Sequence, residues 1–277
     1  MKNVFFSTKQ IVLYVVLSFC SILALFPIAV MLLISGKDYA QYLNSVWSVP
    51  NPVQWGYYLF GLRVTIRYIG NSIIVSAAVL ILTLIVATFA SYACSRIEVK
   101  GRKITYLVIT ALLMVPAVVT LIPLFLVIRY LGLLNTYWGM ILPQIAMSLP
   151  VAIFLLKTFF DDVPSDLFAA AKIDGAGHMK IIWYVLMPLC IPIFATLSII
   201  NVLASWNLFV LPLIVIKDAS LRTIPLGMTF VKVEQYLDYK PGMMMAAYVV
   251  ASLPMIIAFF ILLKPFMKGM TQGGLKG

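Results

Sequence analysis

The sequence predicts an all-α integral membrane protein with six transmembrane helices, and three observations carry that prediction. First, 63% of its 277 residues are hydrophobic and only 10% are charged, with a mean hydropathy of +1.07. Soluble domains carry about 25% charged and about 45–50% apolar residues. This composition excludes an ordinary soluble enzyme, a disordered chain and a nucleic-acid binder dominated by basic residues. Second, six charge-free runs (10–36, 68–95, 104–128, 130–156, 181–216 and 241–263) hold 166 residues, so all 29 charges fall in the other 111. Third, each run exceeds the roughly 20 residues that span a hydrocarbon core about 30 Å thick. A charge at the centre of such a helix costs roughly 2.5–3.5 kcal/mol. The spans are helices because lipid offers no partner to backbone N–H and C=O groups.

The elements follow in order within one transmembrane domain, 1–277. Residues 1–9 are a short basic start, and the first helix covers about 10–34. Its apolar run, Ile11–Ile34, is longer than a signal-peptide core and has no small-x-small site close behind it, so it reads as a membrane helix. Residues 35–67, rich in Trp and Tyr with Pro50 and Pro52, suit a membrane-surface loop. The second helix covers about 69–94 and ends in the basic turn Arg96, Lys100, Arg102, Lys103. The third covers about 104–128, where Pro116 and Pro123 predict a kink. The fourth covers about 138–157 with Pro143 and Pro150, and a polar loop occupies 158–180. The fifth lies within 184–214, interrupted by Pro188, Pro192 and Pro212. Residues 217–242 form a loop, the sixth helix covers about 243–264, and 265–277 form a Gly-rich tail. The prolines have two readings: Pro is common in membrane helices, or broken helices line a path where freed carbonyls meet water or substrate.

With both termini in the cytoplasm, 12 Lys and Arg lie inside and 8 outside, the direction of the positive-inside rule. The net charge of +11 is then mainly a topology signal; an anionic substrate or anionic lipid headgroups are the lesser reading. Cys20, Cys94 and Cys190 have no paired spacing and read as small hydrophobes. His178 is the only histidine, so no metal site is expected. No phosphate-cradling Gly-rich loop and no nucleophile–base set is present. Any work the protein does draws on a partner or on an ion gradient.

The stretch from Phe160 to His178 has the grammar of a short helix. Asp162 is a candidate cap, Pro164 suits the first turn and Asp166 suits the positive end of the dipole. Ala169, Ala170 and Ala171 propagate the helix and Gly175 stops it. Leu167, Ala170, Ala171 and Asp174 recur at helical spacing and form one small face. Such a helix either lies on the membrane or docks into a soluble partner.

Here the chain resembles the permeases of ABC importers. Their EAA motif reads Glu-Ala-Ala, three residues, Gly, nine residues, then Ile-x-Leu-Pro. In this sequence Ala169 replaces the Glu, Ala170, Ala171 and Gly175 match, Val185 and Met187 replace Ile and Leu, and Pro188 matches. Asp174 and Ala176 flank the glycine. Ser205-Trp206-Asn207-Leu208-Phe209 with Pro212-Leu213, and the end Lys268–Gly277, resemble segments of the carbohydrate-uptake, maltose-permease branch. The resemblance implies a type I importer permease fold with a cytoplasmic coupling helix, in a bacterial cell membrane. It implies a second homologous permease, a pair of cytoplasmic ATPases that carry the ATP and Mg, and an extracytoplasmic binding protein that delivers a sugar, oligosaccharide or polyol. It gives Ala169, Ala170, Ala171, Asp174, Gly175, Ala176 and Pro188 a role in ATPase coupling, and Gly273, Gly274 and Lys276 a tail contact with the ATPases. This chain is then a transport subunit without a catalytic residue or a cofactor of its own.

For the substrate path the polar residues inside the spans are the candidates: Asn71, Gln144, Ser148, Asn201, Ser205 and Asn207, with Trp206 as a stacking surface. Each is also a candidate for helix–helix glue. An ion-coupled secondary transporter would need ionisable residues within the spans, and the six runs hold none. A non-transporting scaffold is the other alternative.

Overall fold

The computed structural model describes residues 8–234 and 240–273, and no strand occurs among them. The helices in order are α1 (Thr8–Ser35), α2 (Tyr39–Asn44), α3 (Trp55–Arg96), α4 (Arg102–Met114), α5 (Ala117–Tyr130), α6 (Tyr137–Asp162) and α7 (Ser165–Ile173). They continue with α8 (His178–Leu189), α9 (Ile191–Trp206), α10 (Val210–Val215), α11 (Ile224–Glu234) and α12 (Pro241–Gly273). Among the described residues, four helices are long and apolar enough to cross a bilayer: Lys9–Ser35, Trp55–Arg96, Tyr137–Asp162 and Pro241–Leu263. The bent pairs α4–α5 and α8–α9 bring the number to six if each is one span.

The chain divides into two compact units. Among the described residues, one holds 8–66 together with 228–234 and 240–253, and the other holds 67–227 and 254–273. In the first unit, α3 meets α12 at Gly61, where an added Cβ would stand 2.9 Å from the Ala247 Cα. Small residues on both sides allow that approach. Lys37 is fully buried, and its ammonium donates to the Ser45 and Val46 carbonyls and to Ser48 Oγ at 2.7, 2.8 and 3.1 Å. A lysine expected in a solvated loop thus closes the turn before α3, because its charge is met by three oxygens.

The second unit has its core among α3, α6, α8 and α9. Leu156, Phe160, Leu186, Cys190 and Leu197 are wholly enclosed there. Ser91 Oγ donates to the Ile153 carbonyl at 3.1 Å, tying α3 to α6.

Several boundaries differ from the sequence expectation. Helix α3 begins at Trp55 rather than near 69, so the expected loop 35–67 keeps only α2 and the turn through Pro50 and Pro52. The stretch 39–62 is also free of charge, and no proline follows Pro52 until Pro116, so nothing local stops the helix. Its 42 residues give about 63 Å of length, twice the hydrocarbon core. Helix α6 runs to Asp162 rather than 157, which shortens the loop expected over 158–180. Residues 217–242, expected as loop, contain α11. The last helix runs to Gly273 through most of the expected tail 265–277. The expected third helix is two helices bent by 105°, and the fifth is α8 and α9 bent by 77°, with α10 separate.

Candidate functional site

The Ser165–Ile173 helix forms where the sequence places it, but its start differs. Asp162 is the last residue of α6, and the cap position falls on Pro164, which makes no side-chain cap bond. The Leu167 N–H reaches the Pro164 carbonyl at 3.3 Å. At the far end the Ala176 N–H donates to the Ala171 carbonyl at 2.9 Å and the Gly175 N–H to Lys172 at 3.0 Å. That pair of bonds is a Schellman motif, which needs a left-handed residue between helix and exit. Gly175 supplies it at φ 77°.

One face of this helix is anchored. Phe168 is buried, and Ala171 and Ala176 pack on the same core. The Arg96 guanidinium lies 4.0 Å from the centre of the Phe168 ring. Arg96 Nη2 also donates to the Phe160 carbonyl and, at 2.7 Å, to Val163. One arginine at the end of α3 therefore satisfies the open carbonyls at the end of α6 and stacks on α7, the geometry for which a planar guanidinium is suited. Beside it, Ser95 Oγ donates to Asp161 Oδ1 at 2.5 Å, and Lys157 pairs with Asp161 Oδ2. Where the chain leaves α7, His178 Nδ1 shares a hydrogen bond of 2.8 Å with the Tyr92 hydroxyl. His178 is thus a structural partner of α3; among the described residues no three His, Cys, Asp or Glu gather to hold a metal.

The opposite face is free of the chain's own packing. Leu167, Ala169, Ala170 and Asp174 are exposed, as are Gly175 and Pro188. Ala171 was expected on that outward face and lies on the inward one, because the buried Phe168 sets the anchored side and Ala171 follows it at i+3. Tyr92 and Phe168 were not singled out in the sequence, and Arg96 was read only as part of a basic turn. The only signal for them is Arg96 at the end of an apolar run and an aromatic within the alanine stretch.

The polar residues of the spans are mostly engaged within the protein. Asn71 Nδ2 donates to the carbonyls of Ser220 (2.8 Å) and Arg222 (2.9 Å), and its Oδ1 accepts from the Tyr137 hydroxyl at 2.7 Å. Asn71 is therefore a tie to the 218–222 loop and to Tyr137. In that loop, hydrogen bonds from the Ser220 N–H and side chain hold the Asp218 carboxyl below the usual carboxylate range, with the charges of Arg67 and Arg222 adding to the effect. Ser205 accepts from Ser76 Oγ at 3.1 Å, joining α3 and α9. Gln144 and Asn201 are buried and donate to Met140 and Leu197 in their own helices, both at 2.9 Å. The Oδ1 of Asn201 has no partner. Trp206 is buried, Ser148 is half-buried, and Asn207 is exposed with its amide on the Leu203 carbonyl at 2.9 Å. A cavity of about 430 Å³ opens between Arg129, Asn135 and Lys217, a feature no sequence pattern pointed to. Asn135 is its hinge: a non-glycine at φ 59° whose Oδ1 accepts from the Lys217 and Asp218 N–H groups.

Of the expected tail contacts, Gly273 is the last residue of α12, while Gly274 and Lys276 lie outside the described residues.

Comparison with known proteins gives this arrangement a family. Residues 84–272 match the family described as binding-protein-dependent transport system inner membrane component. The chain is 32% identical over 278 residues to the arabinooligosaccharides transport system permease protein AraQ of Bacillus subtilis, covering 98% of each. It is 31% identical over 273 residues to the trehalose/maltose transport system permease protein MalG of Thermococcus litoralis, covering 97% of this chain and 98% of that protein. The crystal structure of a bacterial ABC transporter involved in the import of the acidic polysaccharide alginate contains a chain with the same fold, at TM-score 0.80 and 22% identity, covering 94% of this chain and 98% of that one. The chain belongs to the family of binding-protein-dependent transport inner membrane components: it is a multi-pass transport subunit, not an enzyme, with the type I ABC-importer permease fold.

Proposed function

We propose that this inner membrane component carries a sugar, in the oligosaccharide or polyol class, handed over by an extracytoplasmic binding protein. Two relatives that share nearly its full length are named as permeases for arabinooligosaccharides and for trehalose and maltose. A second, homologous permease completes the pore, and two ATPase subunits, which carry the ATP and Mg, drive it by alternating access. Both termini lie on the cytoplasmic side of a bacterial cell membrane, as the excess of inside lysine and arginine favours.

The observation that carries this reading is the Ser165–Ile173 helix, locked on one face and bare on the other. The bare face, with Ala169, Ala170, Asp174 and Gly175, offers small side chains to an ATPase cleft, and Pro188 lies on the connected helix α8. Ala171 and Ala176 act from the anchored side, holding the helix to the core. A rigid mount is what lets motion of the ATPase reach α3, α6 and α8 rather than being absorbed by a loop. Gly273, with Gly274 and Lys276, adds a tail contact to the same ATPases. Among the path residues, Asn201 and Asn207 face the sugar, the first for its unpartnered amide oxygen and the second for its exposure.

The test is uptake and co-purification with the double substitution Asp174→Ala and Gly175→Leu. Leu at φ 77° is strained by roughly 1–2 kcal/mol, although no atom blocks its Cβ. Membrane insertion is expected to persist while uptake and ATPase recovery are lost. Normal uptake by the double variant would overturn the docking role.

A further inference from the structure

A cavity of about 210 Å³ lies beside the anchored end of α7, lined by Ser95, Arg102, Lys103, Tyr106, Lys157 and Asp161. It collects three cations against one carboxylate. Arg102 is steadied by the carbonyls of Ser95 and Ile97 at 3.4 and 3.2 Å. Lys157 spans the pocket between Asp161 and the Tyr106 ring, 4.6 Å from its centroid. Lys103 is exposed, and α4 starts at Arg102 after Gly101, which gives its first turn no side-chain cap. Cations, the Tyr106 hydroxyl and an uncapped helix start around one void are the donor set for a phosphate.

A second observation points to what bears that phosphate. On α4, Ile104, Leu107 and Val108 are between 59% and 68% exposed, while Tyr106 and Ile109 turn inward. This apolar ridge at i, i+3, i+4 begins next to Lys103. The 105° bend at Val115 and Pro116 also prevents α4 and α5 from both standing along the membrane normal. A short amphipathic helix with basic residues at its head and apolar residues along one side suits the boundary between headgroups and acyl chains.

We infer that the cavity between α3, α4 and the end of α6 is a binding site for an anionic phospholipid, headgroup phosphate among Arg102, Lys103 and Lys157, acyl chains along Ile104, Leu107 and Val108. A basic pocket at helix ends on the cytoplasmic side is the place where anionic headgroups gain most. The site adjoins the coupling mount, since a phosphate that draws on Lys157 competes with Asp161, which Ser95 also holds next to Arg96. The inference is independent of the sugar cargo.

The test uses the assembled importer and native mass spectrometry of the phospholipids it keeps after detergent exchange. Phosphatidylglycerol is expected to be retained over phosphatidylcholine. The pair Lys103→Gln and Lys157→Gln lowers that retention, roughly five-fold per lysine at about 1 kcal/mol per basic residue. The pair Lys100→Gln and Lys180→Gln removes the same charge outside the pocket and leaves retention unchanged. Because Lys157 also pairs with Asp161, Lys103→Gln alone is the check free of that ion pair, with a five-fold loss. Equal retention in the two pairs would overturn the site. Displacement of phosphatidylglycerol by inorganic phosphate as effective as by dihexanoyl-phosphatidylglycerol would overturn the lipid and leave a free-phosphate pocket.

Discussion

The two broken helices of the second unit have the same kind of sequence and different structures. Both carry two prolines near the break, yet at Val115–Pro116 the backbone leaves the helical region, with Val115 at ψ 117° and Pro116 at ψ 127°. At Cys190 it stays helical at φ −80°, ψ −6°. Proline forces the residue before it into an extended conformation, which accounts for the first break. The second is preceded by a π-helical stretch, Ile181–Leu186, and the Cys190 N–H is shared between Leu186 at 2.9 Å and Met187 at 3.2 Å. Their surroundings differ as much. Met114 and Val118 are 85% and 83% exposed, whereas Cys190 is wholly buried. The first bend is set by local chain chemistry, the second by the core it passes through. Only the second continues through Gly177 into the helix expected to dock.

The largest expected effect breaks that connection at its outlet: the Asp174→Ala and Gly175→Leu pair removes uptake altogether. Next is Phe168→Ala, which empties the contact between Arg96 and the anchored face. Truncating a buried phenylalanine costs about 3–5 kcal/mol, read as loss of ATPase recovery and as a lower unfolding temperature in detergent. Overpacking separates the two breaks directly. Cys190→Leu is expected to cost about 1–3 kcal/mol, whereas Val115→Leu at the exposed break stays within about 0.5 kcal/mol; thermal unfolding of both variants makes the comparison. The smallest effect on stability, and the sharpest on geometry, comes from removing the prolines. Pro116→Ala lets α4 and α5 straighten, so spin labels at Val108 and Ile122 move toward roughly 21 Å apart, the length of 14 helical residues. Pro188→Ala leaves the distance between labels at Tyr184 and Leu203 unchanged, because packing holds that bend. If the second pair moves as far as the first, the distinction between local and tertiary bends is wrong.

Much of this was legible in the sequence for a physical reason. Charge avoidance in lipid acts on every residue separately, so the apolar runs locate the spans without tertiary information. Helix termination at Gly175 is equally local, since one residue must take φ near 77°. The two faces of the Ser165–Ile173 helix were half legible. Helical spacing grouped Ala170, Ala171 and Asp174, but spacing cannot say which side is buried, and Phe168 decided it against Ala171. The path residues were the least legible. Polar groups in a span are alike in sequence whether they meet a substrate or a neighbouring helix; Asn71 and Ser205 proved to be ties within the protein, through the 218–222 loop and through Ser76.

The sequence by itself determined that the chain lives in a bilayer, roughly which stretches are apolar enough to span it, and where the Ser165–Ile173 helix stops. Each of these rests on the free energy of a residue or a turn in its own surroundings. Only the tertiary structure decided where the second broken span bends, which face of the Ser165–Ile173 helix is anchored, and that Arg96, Lys37 and Asn71 make structural contacts. Those outcomes depend on partners far along the chain, such as the 64 residues between Arg96 and Phe160, and distant partners leave no period or spacing to read.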